Sequence, residues 1–363
     1  MTSVTIKALP LFFDTCMPVT KYKKFTYFIG IDVSKDKLDF AAMRGNIFLF
    51  HRVTSNTKED IIQLVYDLKS INGFTISKSV FCMEQTGIYC NPALNSLKKL
   101  KANIVLDNAV QIRNSLGIVR NKYDKIDAIR IAQYAYKSRE ELRLWEPKRL
   151  IIQQLAGLLT LRHRLVTMET TLKTRIDEDG IFVRKSIAKS REELCKRTVR
   201  SLKADLAALQ ERIDQLISSD ARIKRLVEIV TSVPGVGKVT AAHIIVSTNE
   251  FTDIHDPKKF ACYAGVAPFV DDSGKIVRKA RISSLANKKM KALLHLCALS
   301  VLSAVPDIQA YYSRKTKLEG KPKMAVINAI RYKLILRVFA CVNQDRYYQK
   351  DYVRNAPVPD LAG

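Results

Sequence analysis

The stretch that decides the fold of this chain is Phe28-Ile29-Gly30-Ile31-Asp32-Val33-Ser34. Its apolar and β-branched residues predict a buried strand that carries one charge, Asp32, at its end. A second run of the same kind, Ser79-Val80-Phe81-Cys82-Met83-Glu84, closes on Glu84 just before the turn Gln85-Thr86-Gly87. Each of the two predicted strands therefore ends on a carboxylate.

Two further acids lie three residues apart at the front of a predicted amphipathic helix that runs to about Lys137. Residues at this spacing project from one helical face, so Asp124 and Asp127 are predicted neighbours. Such acids are ordinary surface residues in many proteins. Like charges gathered from several elements repel, however, and a pair of Mg²⁺ ions is the usual reason to assemble them. We predict a catalytic metal site for Mg²⁺, with Mn²⁺ as the alternative cation, and its ligands are Asp32, Glu84, Asp124 and Asp127.

The predicted elements around these acids follow the order of a ribonuclease H-like α/β fold. Arg44-Gly45-Asn46 is typical of a hairpin turn, and Thr57-Lys58-Glu59-Asp60 resembles a helix capping box. Asp36 and Asp39 are predicted to lie in a turn and on a strand surface. The predicted succession is strands at 27–33, 38–43 and 47–54, a helix from 57, the strand ending at 84, a helix near 91–100, a strand at 103–106 and the helix of Asp124 and Asp127.

The charge of the chain predicts a polyanionic partner. There are 61 Lys and Arg residues against 35 Asp and Glu residues, a formal net charge of +26. Binding to phosphates would then be strongly salt-dependent. A ribosome-like or membrane-surface protein could carry a similar charge. The longest apolar stretch, 292–305, contains His295 and is too short for a bilayer, so we predict a core helix there and no membrane partner.

Cysteine usage and the chain ends carry less information. The seven cysteines form no Cys-x-x-Cys pair, which argues against a disulfide framework and a zinc site. The simplest setting is a reducing cytoplasm. Residues 1–25 are predicted to be a poorly structured leader, and residues 346–363 a tail.

The remaining sequence predicts three domains in all. A first domain, 26–147, ends near the proline of Trp145-Glu146-Pro147; a coiled-coil linker covers 148–222 and a mostly α domain covers 223–345. The linker contains two runs with 3,4 spacing, which could fold back on each other, pair with another subunit or pack on their own domain. An acidic interruption at Asp177-Glu178-Asp179-Gly180 separates them. The runs are Leu158, Leu161, Leu165, Met168 and Leu172, then Val199, Leu202, Leu206, Leu209, Ile213 and Leu216.

The third predicted domain opens with a glycine-rich turn between two helices. Ser232-Val233-Pro234-Gly235-Val236-Gly237-Lys238 matches the hairpin of a helix-hairpin-helix DNA-binding element. Gly235 and Gly237 would let the backbone approach a phosphate, and Lys238 would add charge. A purely structural turn is the alternative. The spacing does not match a P-loop.

A serine on a second glycine turn precedes a run of cations without any acid. Ser273-Gly274 follows Gly265-Val266-Ala267-Pro268. A hydroxyl in this setting can attack a phosphodiester while cations stabilise the developing charge, although most loop serines are inert. The cations are Lys275, Arg278, Lys279, Arg281, Lys288, Lys289 and Lys291.

Taken together, these motifs resemble the DEDD transposases of the insertion-sequence one-ten family, which have a RuvC-like domain. These proteins are relatives of the Piv site-specific DNA invertases and are also called bridge-RNA recombinases. The resemblance runs from about residue 26 to 340 in a single order. It rests on Gly30-Ile31-Asp32-Val33-Ser34-Lys35, Glu84-Gln85-Thr86-Gly87, Asn121-Lys122-Tyr123-Asp124-Lys125-Ile126-Asp127-Ala128, Pro234-Gly235-Val236-Gly237, Gly265-Val266-Ala267-Pro268 and Ser273-Gly274.

The resemblance implies a transposase or site-specific recombinase in which the four acids bind Mg²⁺ and Ser273 becomes covalently linked to DNA. It implies composite sites built from different subunits, in a dimer or a synaptic tetramer. It also implies double-stranded donor and target DNA and a structured non-coding guide RNA, encoded by the element, that pairs with both.

The chain departs from the family pattern after the serine. Members commonly show Ser-Lys-x-Gly-Asn where this chain has Ser283-Ser284-Leu285-Ala286-Asn287, and arginine is common where Lys291 stands. Ser283 and Ser284 are therefore alternative nucleophiles, and Tyr263 is a competing hydroxyl.

Three other classes of protein would require different features of the sequence. A RuvC-like junction nuclease would use water as the nucleophile and would not need Ser273. An actin-like kinase or ATPase would need a second glycine-rich phosphate motif, which the sequence lacks. A non-enzymatic nucleic-acid binder would have no use for the four acids.

Overall fold

The computed structural model describes residues 24–115, 124–267, 272–273, 276–277 and 286–350. The chain divides into two compact units, and the boundary lies between Pro147 and Lys148. Each unit is described by itself.

The first unit is built on a mixed five-stranded sheet in the order β3-β2-β1-β4-β5. β1 pairs antiparallel with β2, which pairs antiparallel with β3, whereas β1, β4 and β5 run parallel. All five predicted strands are confirmed to within a residue or two, in the order predicted for a ribonuclease H-like sheet. They are β1 Tyr27–Val33, β2 Lys37–Arg44, β3 Ile47–Ser55, β4 Ser79–Glu84 and β5 Asn103–Asp107.

Helices cover both faces of this sheet. Tyr27, Ile29 and Ile31 of β1 pack in one apolar cluster with α1 and α2, while Phe28 packs with α3 and α4 on the opposite face, as the twofold alternation of a strand requires. Thr57 caps α1 by accepting a hydrogen bond from the N–H of Asp60, as predicted. The helices are α1 Lys58–Lys69, α2 Asn91–Lys99, α3 Ala109–Ser115 and α4 Asp124–Lys137. Short 3₁₀ turns cover Ile76–Lys78 and Gly87–Cys90.

Gly30 allows α4 to lie unusually close to β1. A β-carbon at this position would stand 2.1 Å from the carbonyl oxygen of Ala128 and 2.4 Å from the nitrogen of Ala132. Both distances are far below van der Waals contact, and both atoms belong to the backbone of α4. Only glycine therefore permits this packing, which fixes the helix that carries Asp124 and Asp127.

In its described residues, the second unit consists of helices and one small ribbon. The long helices α5 and α6 pack side by side. The N-terminal part of α5 and the C-terminal part of α6 share one hydrophobic core with α7–α12. A π-helical turn covers Arg314–Leu318. The helices are α5 Leu150–Phe182, α6 Lys185–Ser218, α7 Ala221–Ser232, α8 Lys238–Thr248, α9 Pro257–Tyr263, α10 Lys288–Ala304, α11 Pro306–Ser313 and α12 Lys323–Asn343. The ribbon pairs β6 Asp272–Ser273 with β7 Ile276–Val277.

The predicted interruption at residues 177–180 is wrong. α5 continues through Gly180, and the break between the paired helices falls at Val183 and Arg184. Asp179 is buried, and its carboxylate is paired with Arg175 of its own helix and Arg191 of α6. These ion pairs stabilise the acidic segment as a helix.

The apolar stretch at residues 292–305 belongs to α10, where Leu294 and Val301 are buried in the core. Among the described residues, no single helix has both the length and the apolarity to cross a membrane. Lys288–Ala304 and Pro306–Leu318 meet that test only as a pair, and they are bent by 100°.

Candidate acidic site and nucleic-acid-binding elements

Asp32 and Glu84 lie at the same edge of the sheet. β1 and β4 are parallel neighbours in which Ile31 is level with Met83, so the following residue of each strand reaches the carboxyl edge together. Carboxyl edges of parallel strands are the usual location of functional side chains in open α/β sheets. The structure thus brings together the two acids that the strand pattern predicted.

The charge environment of Asp32 links it to the helix acids. Burial, followed by the negative charges of Asp127, Asp124, Asp39 and Glu84, raises the pKa of Asp32 to about 6. Nearby negative charge disfavours ionisation, so these carboxylates act on one another. The four predicted acids therefore belong to one electrostatic cluster, and a fifth acid joins it.

The fifth acid is Asp39, and the prediction that it lies on a strand surface is wrong because the side chain is buried. It is 4% exposed and stands opposite Asp32 in the β1–β2 register. Its carboxylate accepts a hydrogen bond from His51 Nε2 at 2.8 Å. The prediction failed because β2 is covered on both faces, by α1 and α2 on one side and by α4 on the other, so its residues do not alternate between buried and exposed.

Lys37 places a positive charge inside the acidic cluster. Its Nζ lies 2.5 Å from Asp124 Oδ2 and 3.3 Å from Asp39 Oδ2. The hydrogen bond to Asp124, followed by that to Asp39, raises the pKa of Lys37. The side chain is about half exposed, so it can move away without a large cost in burial.

Asp107 is an edge acid that the sequence analysis did not single out. It ends β5 level with Glu84 and accepts a hydrogen bond from the Tyr134 hydroxyl at 2.5 Å. Burial and this hydrogen bond raise the pKa of Tyr134. A third parallel strand ending on an acid was the signal available in the sequence.

The donor set suits a hard divalent cation. Among the described residues, no three His, Cys, Asp or Glu side chains converge on one point where they could hold an ion as they stand. The cluster nevertheless consists of carboxylates, which Mg²⁺ and Mn²⁺ prefer. The repulsion that acts on Asp32 is relieved by a cation, so the residues fit a divalent metal.

The predicted helix-hairpin-helix turn joins α7 to α8, and its two glycines have different roles. Gly235 has a φ of +82°, and a β-carbon there would lie 2.0 Å from Val301 Cγ2 and 2.9 Å from the carbonyl oxygen of Cys297. Gly237 faces open space and precedes the first residue of α8, Lys238. Gly235 therefore packs the turn onto α10. Of the two glycines predicted to contact a phosphate, Gly237 is the one with open space in front of it, at the N-terminus of α8.

Because the two glycines differ in their surroundings, alanine should have different effects at the two positions. Gly235→Ala should lower the free energy of unfolding by about 3 kcal/mol, because it adds a clash to a left-handed backbone. Gly237→Ala should cost less than about 1 kcal/mol, as expected at a helix N-cap, yet weaken binding to duplex DNA several-fold. Urea unfolding and fluorescence anisotropy measure the two effects. Equal losses of stability in both variants would contradict the assignment.

The predicted nucleophile lies in the ribbon of the second unit. The backbone of Ser273 pairs with Ile276 in the β6–β7 hairpin. Lys288 opens α10, which Asn287 caps; the Asn287 side chain also donates a 2.6 Å hydrogen bond to the Tyr263 hydroxyl. The remaining predicted positions here lie outside the described residues, namely Lys275, Arg278, Lys279, Arg281, Ser283 and Ser284.

Proteins that act on nucleic acid typically combine such features. Here they are a cluster of acids at the edge of a mixed sheet, a glycine turn between two helices and a net charge of +26. Residues 29–178 match the model of the DEDD transposases of IS110 elements, described as "Transposase". Residues 227–313 match the model described as "Transposase IS116/IS110/IS902 family". The two matches together cover more than half of the chain, which belongs to this family of DNA-cleaving and recombining enzymes.

Two relatives, a gene-inverting protein and a transposase, agree with this assignment. The chain is 26% identical to the pilin gene-inverting protein of Moraxella bovis over 89% of its own length and 98% of that protein. It is 27% identical to the transposase of insertion sequence element IS1111A of Coxiella burnetii over 52% of its own length and 57% of that protein. Among solved structures, T. thermophilus RuvC in complex with a Holliday junction substrate aligns at 10% identity and a TM-score of 0.26, covering 33% of this chain and 99% of RuvC.

Proposed function

We propose that the protein cleaves and exchanges DNA strands through a serine–DNA intermediate, with a divalent metal held by Asp32, Glu84, Asp124 and Asp127. The observation that carries the proposal is the electrostatic cluster around Asp32, which collects these acids from two strands and one helix. Membership in a transposase family is the reason to propose DNA as the substrate. Ser273 supplies the attacking hydroxyl.

The chemistry divides between the acidic cluster and the serine. The Ser273 hydroxyl loses its proton as its oxygen forms a bond to the scissile phosphorus. The bond from phosphorus to the 3′-oxygen breaks, and the leaving oxygen takes up a proton, so the step neither gains nor loses a proton overall. When bound, Mg²⁺ would polarise the phosphate and stabilise the leaving oxygen. The carboxylates would hold such a cation: β1 and β4 position Asp32 and Glu84, and the close packing of α4 positions Asp124 and Asp127.

The paired helices α5 and α6 supply a surface for other subunits. Leu161 and Met168 of the predicted apolar run are 46% and 55% exposed, so part of the run is not covered by the described residues of this chain. A second copy would bury them in a coiled-coil contact. We propose that a dimer, and a synaptic tetramer on DNA, forms through this surface, and that an acidic unit and a serine unit from different subunits make up each site.

The nucleophile is tested by Ser273→Ala. We expect strand exchange to fall by at least about 10³-fold, as for the loss of a covalent nucleophile, and no protein–DNA adduct to remain. Ser283→Ala and Ser284→Ala are matched controls that should keep activity. The assay uses a plasmid that carries the native DNA flanking the reading frame. Undiminished cleavage by Ser273→Ala would favour a nuclease that uses water.

The guide is tested by purifying the protein from cells that carry the same flanking DNA and sequencing the bound RNA. The charge of +26 favours such a partner, and base pairing would then select the target. A discrete RNA from beside the reading frame, complementary to donor and target, is the expected result. Random cellular RNA, or none, would show that the protein alone selects its DNA.

Lys37→Met tests the internal cation of the acidic cluster. Removing the charge of Lys37 should tighten Mn²⁺ binding by about 3- to 10-fold, because Mn²⁺ no longer competes with the lysine for Asp124 and Asp39. A tenfold change in affinity corresponds to about 1.4 kcal/mol. Stability should change little, because Lys37 is about half exposed and its ion pair with Asp124 is open to solvent. Lys35→Met, an exposed lysine of the same turn, is the control. Weaker Mn²⁺ binding by Lys37→Met, measured by calorimetry, would contradict this role.

A further inference from the structure

Four basic side chains from three helices of the second unit form what we call the cationic cluster: Arg162 and His163 of α5, His243 of α8 and Lys289 of α10. Lys289 Nζ donates a hydrogen bond to the carbonyl oxygen of Leu159 at 3.4 Å. Arg162 and His163 follow Leu159 by three and four residues and therefore share its helical face. The cluster is thus defined by helix packing as well as by charge.

The cluster contains no acid to balance its charge. Among the described residues, none of its four members is ion-paired with a carboxylate, and Arg162 is hydrogen-bonded to the neutral amide of Gln210 at 3.3 Å. Burial, followed by the positive charges of Lys289, Arg162 and His163, lowers the pKa of His243 to about 4. Burial and Arg162 also lower the pKa of Lys289.

Such an arrangement is unfavourable unless an anion completes it. Lys289 and His243 are only partly exposed, so they do not extend fully into solvent as surface cations usually do. Arginine and lysine together suit a group with several acceptor oxygens, and an imidazole adds one donor. A phosphate has the size, charge and oxygens that this set of donors requires.

We infer that the cationic cluster is a binding site for a backbone phosphate of a bound nucleic acid. The choice of polymer rests on the proposed function, whereas the anion chemistry rests on the cluster itself. Its four residues are distinct from those of the glycine turn before α8 and from the acids of the first unit. It adds Arg162, His163 and His243, none of which the sequence pattern singled out.

His243 provides a direct measurement in the full-length protein. Its imidazole resonance, assigned with His243→Gln, is followed against pH with no addition, with pyrophosphate, with a short DNA duplex and with an RNA hairpin. A phosphate next to the ring favours the charged imidazolium, so the pKa of His243 should rise by at least one unit with DNA or with RNA. If the pKa of His243 shifts with DNA alone or with RNA alone, that polymer is the one that occupies the site.

The outcome is checked with two lysine variants. Lys289→Gln should reduce the slope of log affinity against log salt by about 1, the value for one lost phosphate contact. Lys224→Gln is the control, since Lys224 is an exposed lysine of α7. In this variant the pKa of His243 should equal that of the unchanged protein, both without and with nucleic acid. An unmoved His243 resonance while the protein binds both polymers would overturn the inference, as would a response to pyrophosphate alone. Neither readout depends on strand exchange, so an inactive protein could still show the phosphate site.

Discussion

Asp32→Asn should abolish DNA cleavage and, at the same time, raise the free energy of unfolding of the metal-free protein at pH 7 by about 1–2 kcal/mol. Each unit by which the pKa of Asp32 lies above its ordinary value corresponds to about 1.4 kcal/mol, and solvent screening at this partly exposed side chain reduces the effect. The amide keeps the shape of the side chain but removes one of several charges that repel. Loss of a metal ligand should lower cleavage by about 10³-fold or more.

The stability effect has a defined dependence on pH. The pKa of Asp32 in the folded protein, about 6, lies above its ordinary value of 3.8. Between about pH 4 and 6 the folded protein therefore keeps a proton that the unfolded chain has released. The contribution of Asp32 to stability therefore falls as pH rises from about 4 through 6 and stays low above that. The advantage of Asp32→Asn should grow over the same interval. Urea unfolding in EDTA from pH 4 to 8 measures it.

Asp36→Asn is the matched control for this experiment. Asp36 is an exposed acid in the turn that follows β1, and its replacement should leave cleavage intact and change stability by no more than about 0.5 kcal/mol. If Asp32→Asn instead destabilised the metal-free protein at pH 7, the acids would not repel one another in the way that the structure implies.

Gly30→Val should lower the free energy of unfolding by about 3 kcal/mol or more and remove cleavage as well. The added side chain would meet backbone atoms of α4, at Ala128 and Ala132, which cannot rotate away as a side chain can. The helix must shift, and with it Asp124 and Asp127. Urea unfolding and the plasmid assay report the two losses.

Gly157→Ala is the control for a glycine without such a constraint. Gly157 lies in α5 with nothing within 4 Å of its added β-carbon, so alanine should stabilise the protein by about 0.5–1 kcal/mol through helix propensity. A Gly30→Val variant as stable as the unchanged protein would show that α4 does not depend on close contact with β1.

Much of the first unit could be predicted from the sequence because its signals are local. Apolar runs, the turn at Gly45 and the cap at Thr57 each depend on a few neighbouring residues. The contact of Lys37 with Asp124 joins positions 87 residues apart, and no local pattern encodes it. Asp39 was misjudged because its burial depends on α1, α2 and α4, which cover both sides of the strand.

The second unit shows the same limit. The turn at Gly235 and Gly237 was predicted correctly as a link between two helices, but only the packed structure separates the glycine that contacts α10 from the one that faces open space. The cationic cluster likewise arises from three helices that are distant in sequence. The acidic segment around Asp179 was taken for a break because its ion pair with Arg191 of the next helix cannot be seen in the local sequence.

The most direct test of the account is to map a covalent protein–DNA adduct. The protein is incubated with Mg²⁺ and DNA from its native flanks, denatured, digested with nuclease and trypsin, and analysed by mass spectrometry. Cleavage after Lys275 and Arg281 separates the peptide of Ser273 from that of Ser283 and Ser284, and fragmentation distinguishes Ser273 from Tyr263. We predict a nucleotide linked to Ser273 that disappears in Asp32→Asn. Cleaved DNA with free ends and no linked peptide would contradict the account and would identify a hydrolytic nuclease.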